Sequence, residues 1–425
     1  EKEWGGVPTR GKLGGTIRGI CENVEYLKNL GVNAVYINPI FVAGEYHKYD
    51  LLDYFHIDPC FGTDDDFHRL IDAFHANGLK VIIDGVFNHC GWYFFAFDDV
   101  VKKGEQSAYR DWFYGLTYPV VRPEDPEEYP GYECFGYERM MPKLNLANPE
   151  TAEYFCKVGR YWVEKFHIDG WRLDVASEIN DGFWRKFRES VKSVDPDAIL
   201  IGEVWESAAH WLDGTMFDST MNYDFRKHCR RFFGEQTADA GEFDSRITDM
   251  RMRYRKQTVY AQLNLLDSHD VSRFRSLCQD EESFRLAVIF QMTFPGMPSV
   301  FYGDEVGLTG ILEEEYRQPM PWDTLDESSP LFLLYQKAIA LRKRERTLRR
   351  GEYRTLLAEP GSRVYGYERY LEEDGSIESI RIFLNMEEEN VPLPEELLGE
   401  EILWQEGLKE GQLAAKGFAL IRARD

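Results

Sequence analysis

The chain has 425 residues, with 50 Lys and Arg against 74 Asp and Glu and a formal charge of −24. At roughly 150 residues per domain, that length fits two or three domains or one large barrel with additions. The acidic balance argues against a nucleic-acid phosphate backbone and against an anionic membrane surface as partners. Aromatic residues reach 15%; many belong in a core, but Tyr and Trp also suit a partner with flat apolar faces and hydroxyls, which means a sugar. The seven cysteines, Cys21, Cys60, Cys90, Cys134, Cys156, Cys229 and Cys278, are odd in number, widely spaced and without a C-x-x-C. They read as reduced thiols of a cytoplasmic protein rather than as a disulfide framework or a thiolate zinc site. The longest apolar run, Leu286–Phe294, falls short of the ~18 residues of a membrane span and is broken by Gln291.

In chain order, residues 1–15 are Gly-rich and polar and show no strand. A helix is predicted over Ile17–Leu30, stopped by Gly31, followed by a strand at Val32–Ile37. A second helix, Asp64–Ala76, opens on Thr63 and closes on Asn77-Gly78, and a strand follows at Lys80–Phe87. After a Gly-, Pro-, Tyr- and Trp-rich stretch from about Cys90 to Asn148, the alternation resumes. Helix Pro149–Phe166 precedes strand Gly170–Val175, and helix Phe183–Val194 precedes strand Ala198–Val204. Further strands are predicted near Ser219–Tyr223, Ala261–Leu266 and Ser299–Tyr302. From about Gly351 short alternating segments replace this pattern, as in Val364–Tyr367 and Ile380–Phe383.

Short apolar strands alternating with amphipathic helices imply a parallel sheet covered by helices. The fold class is therefore α/β, a (β/α)8 barrel with an inserted subdomain and a C-terminal antiparallel β domain. The expected division is barrel 1–89, inserted subdomain 90–148, barrel 149–348 and β domain 349–425. Seven barrel-type strands are visible, so the first strand is expected upstream of Glu1.

The strand ends carry charge. Asp84 lies within one strand and runs into Asn88-His89; Arg172 and Asp174 stand two apart in another, on one side of the sheet. Glu203 ends a third, and Asp267, His269 and Asp270 end a fourth. Singly, each has a plain structural reading: a hydrogen-bonding carboxylate, an internal ion pair, a solvated strand end, a helix cap. Together they place carboxylates, an Arg and two His at the C-terminal end of the sheet, where a barrel enzyme builds its site. Paired carboxylates beside an Arg fit glycoside hydrolysis, one attacking the anomeric carbon and one protonating the leaving oxygen. The Arg would keep the nucleophile ionised, and the acid would hold its proton through burial away from cations. A metallohydrolase is the rival, but H-x-H and H-E-x-x-H spacings are absent from the sequence.

The segments GVNAVYINPIF, DGVFNH, MPKLN, GWRLDVASE, GEVWE, LLDSHD and GMPSVFYGDEVGL resemble, in that order, the sequence regions of the α-amylase family of glycoside hydrolases. MPKLN at Met141–Asn145 and HKYD at His47–Asp50 resemble the neopullulanase, cyclomaltodextrinase and maltogenic amylase branch. The resemblance implies that Asp174 is the nucleophile, Glu203 the general acid/base and Asp270 the third carboxylate, which binds sugar hydroxyls. It places Arg172 beside the nucleophile, His89 and His269 on hydroxyls of that sugar, and Tyr49 beneath it as an aromatic platform. Glu313 and Arg317 match a pair on more distant donor-side sugars, and Trp205 and Glu206 the acceptor side; Glu206 stands where branch members often have His. Asp84 matches a mainly structural position. No cofactor is required; calcium is common in the family, and Asn88 and Asn145 are candidates by analogy with other branches. The oligomeric state is left open.

These features imply a retaining hydrolase of α-1,4 bonds in maltooligosaccharides, cyclodextrins, pullulan or starch fragments, with some α-1,6 tolerance and transglycosylation. The carboxyls of Asp174 and Glu203 should then stand about 5–5.5 Å apart. An α-glucanotransferase with the same site and a non-catalytic glucan-binding subunit are the rivals. The aromatic segment Cys90–Tyr137 is expected to serve sugar binding.

Overall fold

The computed structural model describes residues 3–4, 7–8, 13–125, 128–373, 375–399 and 401–424. The chain divides into two compact units, Glu1–Val204 with His210–Thr220, and Trp205–Ala209 with Met221–Asp425.

In the first unit five parallel strands form one sheet, in the order Ala34–Ile37, Lys80–Gly85, Gly170–Leu173, Ile199–Gly202 and Ser219–Thr220. The helices between them follow from local chemistry. Asp64–Ala76 starts on a Thr63/Asp66 capping box, has three acids in its first turn, and buries Phe67, Leu70, Ile71 and Phe74. Pro149–Phe166 starts on Asn148, whose side chain accepts from the Glu150 and Thr151 N–H groups, and ends on His167 in the left-handed conformation. Asp181–Lys192 is capped by Asn180. Trp162, Trp171 and Trp184 are fully buried. Each indole N–H is satisfied by a backbone carbonyl, of Tyr54 (2.8 Å), Gly159 (3.3 Å) and Ala176 (2.9 Å) respectively.

Several expectations are corrected. The first helix is two, Ile17–Glu22 and Val24–Leu30, because Asn23 turns its side-chain amide back onto the Gly19 carbonyl at 2.8 Å. Within residues 1–15, Glu3–Trp4 pairs antiparallel with Val7–Pro8; the remaining residues of 1–12 lie outside the described set. An antiparallel pair, Phe41–Ala43 with Leu51–Ile57, stands where no strands were expected. The stretch after Cys90 is not irregular throughout: it holds helix Phe95–Lys103 and the pair Cys134–Phe135 with Glu138–Pro142. Many of its aromatic rings are core rather than sugar-facing. Phe94, Phe97, Trp112 and Tyr132 are buried against one another and their neighbours, while Tyr93, Tyr129 and Tyr137 are exposed.

The second unit holds the parallel pair Leu263–Leu265 and Met297–Ser299, with Met221 bridged in parallel to Leu263. The strand expected at Ser219–Tyr223 stops at Thr220, because Asn222 becomes the cap of helix Tyr223–Cys229. The strand expected at Ser299–Tyr302 lies two residues earlier. Gly296 in the left-handed region turns the chain so that the Met297 N–H reaches the Gln262 carbonyl at 2.7 Å. Six antiparallel strands between Glu352 and Arg424 form one sheet. Buried arginines hold backbone in this unit: Arg342, for example, donates to the Met292 and Phe294 carbonyls, and Arg369 to those of Leu348 and Gly351.

Gly170 shows how tightly the site strands are packed. A Cβ there would lie 2.3 Å from the Ile199 carbonyl oxygen, and backbone of a paired strand has no freedom to yield. Gly170→Ala should therefore lower stability by about 1–3 kcal/mol, read as a lower urea midpoint with an unchanged m-value.

Candidate active site

Register places the charged groups of the first unit. Asp84 pairs across the ladder with Arg172, and Arg172 with Ile201, so Asp84, Arg172, Asp174 and Glu203 share one end of the sheet. The Asp174 N–H donates to the Gly85 carbonyl (3.0 Å) and the Glu203 N–H to the Leu173 carbonyl (2.9 Å), which carries the parallel bonding one residue past each strand. Gly202 lets Glu203 come this close, since a Cβ at 202 would meet the Phe217 ring at 2.6 Å.

The Arg172 guanidinium is almost wholly buried and holds three carboxylates. Its Nη1 lies 2.8 Å from Asp174 Oδ1 and 3.1 and 3.0 Å from the two oxygens of Asp84. Its Nη2 lies 2.8 Å from Glu203 Oε1. Burial works against this charge, but the Asp84 and Glu203 carboxylates outweigh it and hold the guanidinium well above its ordinary pKa. Burial also pushes the Asp174 carboxyl well up. Arg172 pulls it down, and the Glu203 and Asp84 charges push it further up. One cation does not neutralise three anions, so a proton is taken up, as for any two carboxylates sharing a site.

The expectation that the acid residue sits away from cations is therefore corrected: Glu203 shares Arg172 with Asp174. Its second oxygen accepts the Val175 N–H at 2.8 Å. Val175 makes that bond from φ 46° and ψ 41°, left-handed backbone that a β-branched residue rarely adopts. Such strain costs on the order of 1–3 kcal/mol and persists where the surroundings over-determine it.

Asp84 is completely buried and has two further donors, the Tyr36 hydroxyl at 2.5 Å and the Tyr49 hydroxyl at 2.8 Å. Burial and the Asp84 charge push both phenols up, so both remain donors at neutral pH. Asn38 in turn donates to the Tyr49 hydroxyl at 3.2 Å. Tyr36 was not singled out in the sequence; its signal was a polar ring in an apolar strand, two residues before Asn38. His89 is buried, stacked on Phe135 at 4.8 Å, and its Nε2 has no hydrogen-bond partner. Burial lowers its pKa to about 3, so its imidazole is neutral at physiological pH. A buried ring nitrogen without a partner can serve a ligand hydroxyl.

Of the two calcium candidates, Asn145 keeps a buried side-chain oxygen without a hydrogen-bond partner, whereas the oxygen of Asn88 is taken. The Lys143 ammonium donates to Asn88 Oδ1 at 2.9 Å and also pairs with Glu178, so a cation already sits on that oxygen. The Asn145 amide donates to the Asp111 carbonyl at 2.9 Å. Among the described residues no group of three or more His, Cys, Asp and Glu side chains is arranged to hold a metal ion.

In the second unit, Asp270 lies between His269 and Arg317. Its Oδ2 is 3.0 Å from His269 Nε2 and its Oδ1 3.2 Å from Arg317 Nη2. Arg317 also donates through Nε to the His269 carbonyl (2.7 Å) and pairs with Glu313 (3.2 Å). Trp205, half exposed, stacks on Tyr223 with ring centroids 3.9 Å apart, and Glu206 beside it is exposed.

The chain belongs to the α-amylase family: residues 6–324 match the model described as alpha amylase, catalytic domain. Its fold class is that family's (β/α)8 barrel with a C-terminal antiparallel β region. It is similar to neopullulanase 2 of Thermoactinomyces vulgaris, at 45% identity over 85% of this chain and 61% of that protein. It is also similar to a cyclomaltodextrinase of Thermoanaerobacter pseudethanolicus, at 43% over 87% of this chain and 64% of that one. The chain thus spans less than two thirds of the length of these curated relatives. Among solved structures, a cyclomaltodextrinase matches with a TM-score of 0.89 and 38% identity, covering 100% of this chain and 75% of the other. A cyclic α-maltosyl-(1→6)-maltose hydrolase from Arthrobacter globiformis matches with a TM-score of 0.89 and 32% identity, covering 100% and 93%.

Arg172→Ala should leave the buried carboxylates without their cation and cost about 3–5 kcal/mol near neutral pH. The loss should shrink toward pH 5. Without the cation these carboxyls are held above their unfolded pKa, so the folded variant binds protons that the unfolded chain has released, and its stability falls as pH rises. Urea unfolding of both proteins at pH 5 and pH 8 measures the change.

Proposed function

We propose that the protein is a retaining α-glucan hydrolase acting on α-1,4 bonds of maltooligosaccharides, cyclodextrins, pullulan or starch fragments, with some α-1,6 tolerance. The observation that carries this reading is the buried Arg172 guanidinium shared by Asp174 and Glu203, two carboxyls on one cation at the end of the sheet.

In the first step an Asp174 carboxylate oxygen attacks the anomeric carbon while Glu203 gives its proton to the departing glycosidic oxygen. Glu203 must leave Arg172 to reach that oxygen. Its departure leaves the guanidinium charge on Asp174, which favours the ionised nucleophile when it is needed. In the second step Glu203 takes a proton from water, whose oxygen attacks the same carbon and frees Asp174. Two inversions return the α configuration. The Tyr36 and Tyr49 donors hold Asp84, and Asp84 holds the far side of Arg172. His89 is fitted to hold a sugar hydroxyl, and Asp270 to be the third carboxylate. The relatives' names, neopullulanase and cyclomaltodextrinase, support the substrate class. An intracellular maltogenic amylase of Bacillus subtilis at 41% identity supports a cytoplasmic site of action, and among the described residues no helix is long and apolar enough to cross a membrane.

Asp174→Asn should reduce maltotriose hydrolysis by at least about 10³-fold with an unchanged circular dichroism spectrum. Proton NMR of the wild-type reaction should show the α-anomer first; a β-anomer first, or wild-type turnover by Asp174→Asn, would refute the mechanism. Longer oligomers in place of glucose and maltose would instead favour the transferase. The Lys143 ammonium on Asn88 supports a reaction that needs no metal, and EDTA should then leave the hydrolysis rate unchanged.

A further inference from the structure

Arg273 is a fully buried arginine just before the short helix Phe274–Leu277, three residues after Asp270, and the hydrolytic steps give it no part. Its Nε donates to the Tyr316 carbonyl (3.2 Å), and its Nη1 to the Tyr302 carbonyl (2.5 Å) and to Asp304 Oδ1 (2.9 Å). Its own N–H donates to the Gly310 carbonyl at 2.9 Å. The guanidinium plane lies over Phe301, 4.1 Å from the ring centroid, and Nη2 has no hydrogen-bond partner. Two separate segments, near residues 302–304 and 316, are thus tied to its side chain, and a third, at 310, to its backbone.

The ties lead to Asp270 from both directions. Tyr316, whose carbonyl Arg273 holds, precedes Arg317, whose guanidinium grips the His269 carbonyl and Asp270 Oδ1. On the other side Asp267 accepts the Phe274 N–H at 2.6 Å, which closes the turn carrying residues 268–273. Asp304 accepts the Phe301 N–H at 3.2 Å. Burial, together with the Asp267 carboxyl beside it, pushes the Asp304 acid up, and Arg273 pulls it down. A lysine could supply the charge but not the fork that reaches two carbonyls and a carboxylate at once.

We propose that Arg273, anchored on Asp304, is a positioning residue for the reaction, fixing the Asp270–Arg317 pair in the geometry that the transition state requires. The proposal rests on reading Asp270 as the third carboxylate of a hydrolase.

Steady-state kinetics on maltotriose are measured for Arg273→Lys, Asp270→Asn and the double variant. Arg273→Lys should lower kcat on the order of 10²-fold, with KM within about threefold of wild type. In the Asp270→Asn background the same change should cost less than about twofold, because the residue it serves is already disabled. A purely structural arginine would cost the same in both backgrounds. Asp304→Asn, of nearly equal volume, should give a weaker form of the same coupling and replaces Arg273→Lys if that variant does not fold. Equal losses in both backgrounds, or an unaltered kcat, overturn the positioning role while leaving wild-type hydrolysis intact. A wild type without turnover on α-glucans would instead overturn the hydrolase reading, and this role with it.

Discussion

A guanidinium with almost no access to water is tolerable inside a sheet only if its donors are met, and where anions meet them the charge is balanced as well. Arg172 meets that condition three times over, with Asp84, Asp174 and Glu203. The parallel register fixes who can be a partner, because Asp84 lies opposite Arg172 and Asp174 stands two residues on, on the same face. Tyr36, Tyr49 and Asn38 then serve the group rather than act independently. A one-residue slip of the strand would point Arg172 and Asp174 to the opposite face together.

Excess negative charge around that cation has a chemical use. A glycosidase needs one carboxyl ionised and its neighbour protonated at the same pH. On the proposed reading, two acids that share one arginine suit that need, since burial and the neighbouring charges push Asp174 up while Arg172 pulls it down.

Much of this was legible in the sequence because it depended on short-range periodicity. Asp64–Ala76 and Pro149–Phe166 are where the cap residues and the apolar spacing put them. The charged strand ends also stood out, since Arg172 and Asp174 have no reason to lie in an apolar strand otherwise. What stayed hidden depends on contacts distant in the chain. Tyr36 becomes a carboxylate donor only when Asp84, 48 residues away, lies opposite its strand. Glu203 meets Arg172 only through the register of two strands, so a reading residue by residue sent it away from cations. Asn23 breaks its helix by a side-chain bond that competes with an otherwise acceptable pattern. The aromatic richness after Cys90 suggested a sugar surface, whereas composition does not distinguish a ring that faces solvent from one packed against Phe97 or Tyr132.

Val175 sits next to Asp174 in a conformation that most residues avoid and that Gly or Asn would adopt with ease. Its N–H is spent on Glu203. Gly or Asn at 175 would keep the same backbone and the same N–H on Glu203 while removing the strain, so the position offers stability at no cost to the tether. A laboratory lineage selected for heat resistance would therefore be expected to replace Val175 early.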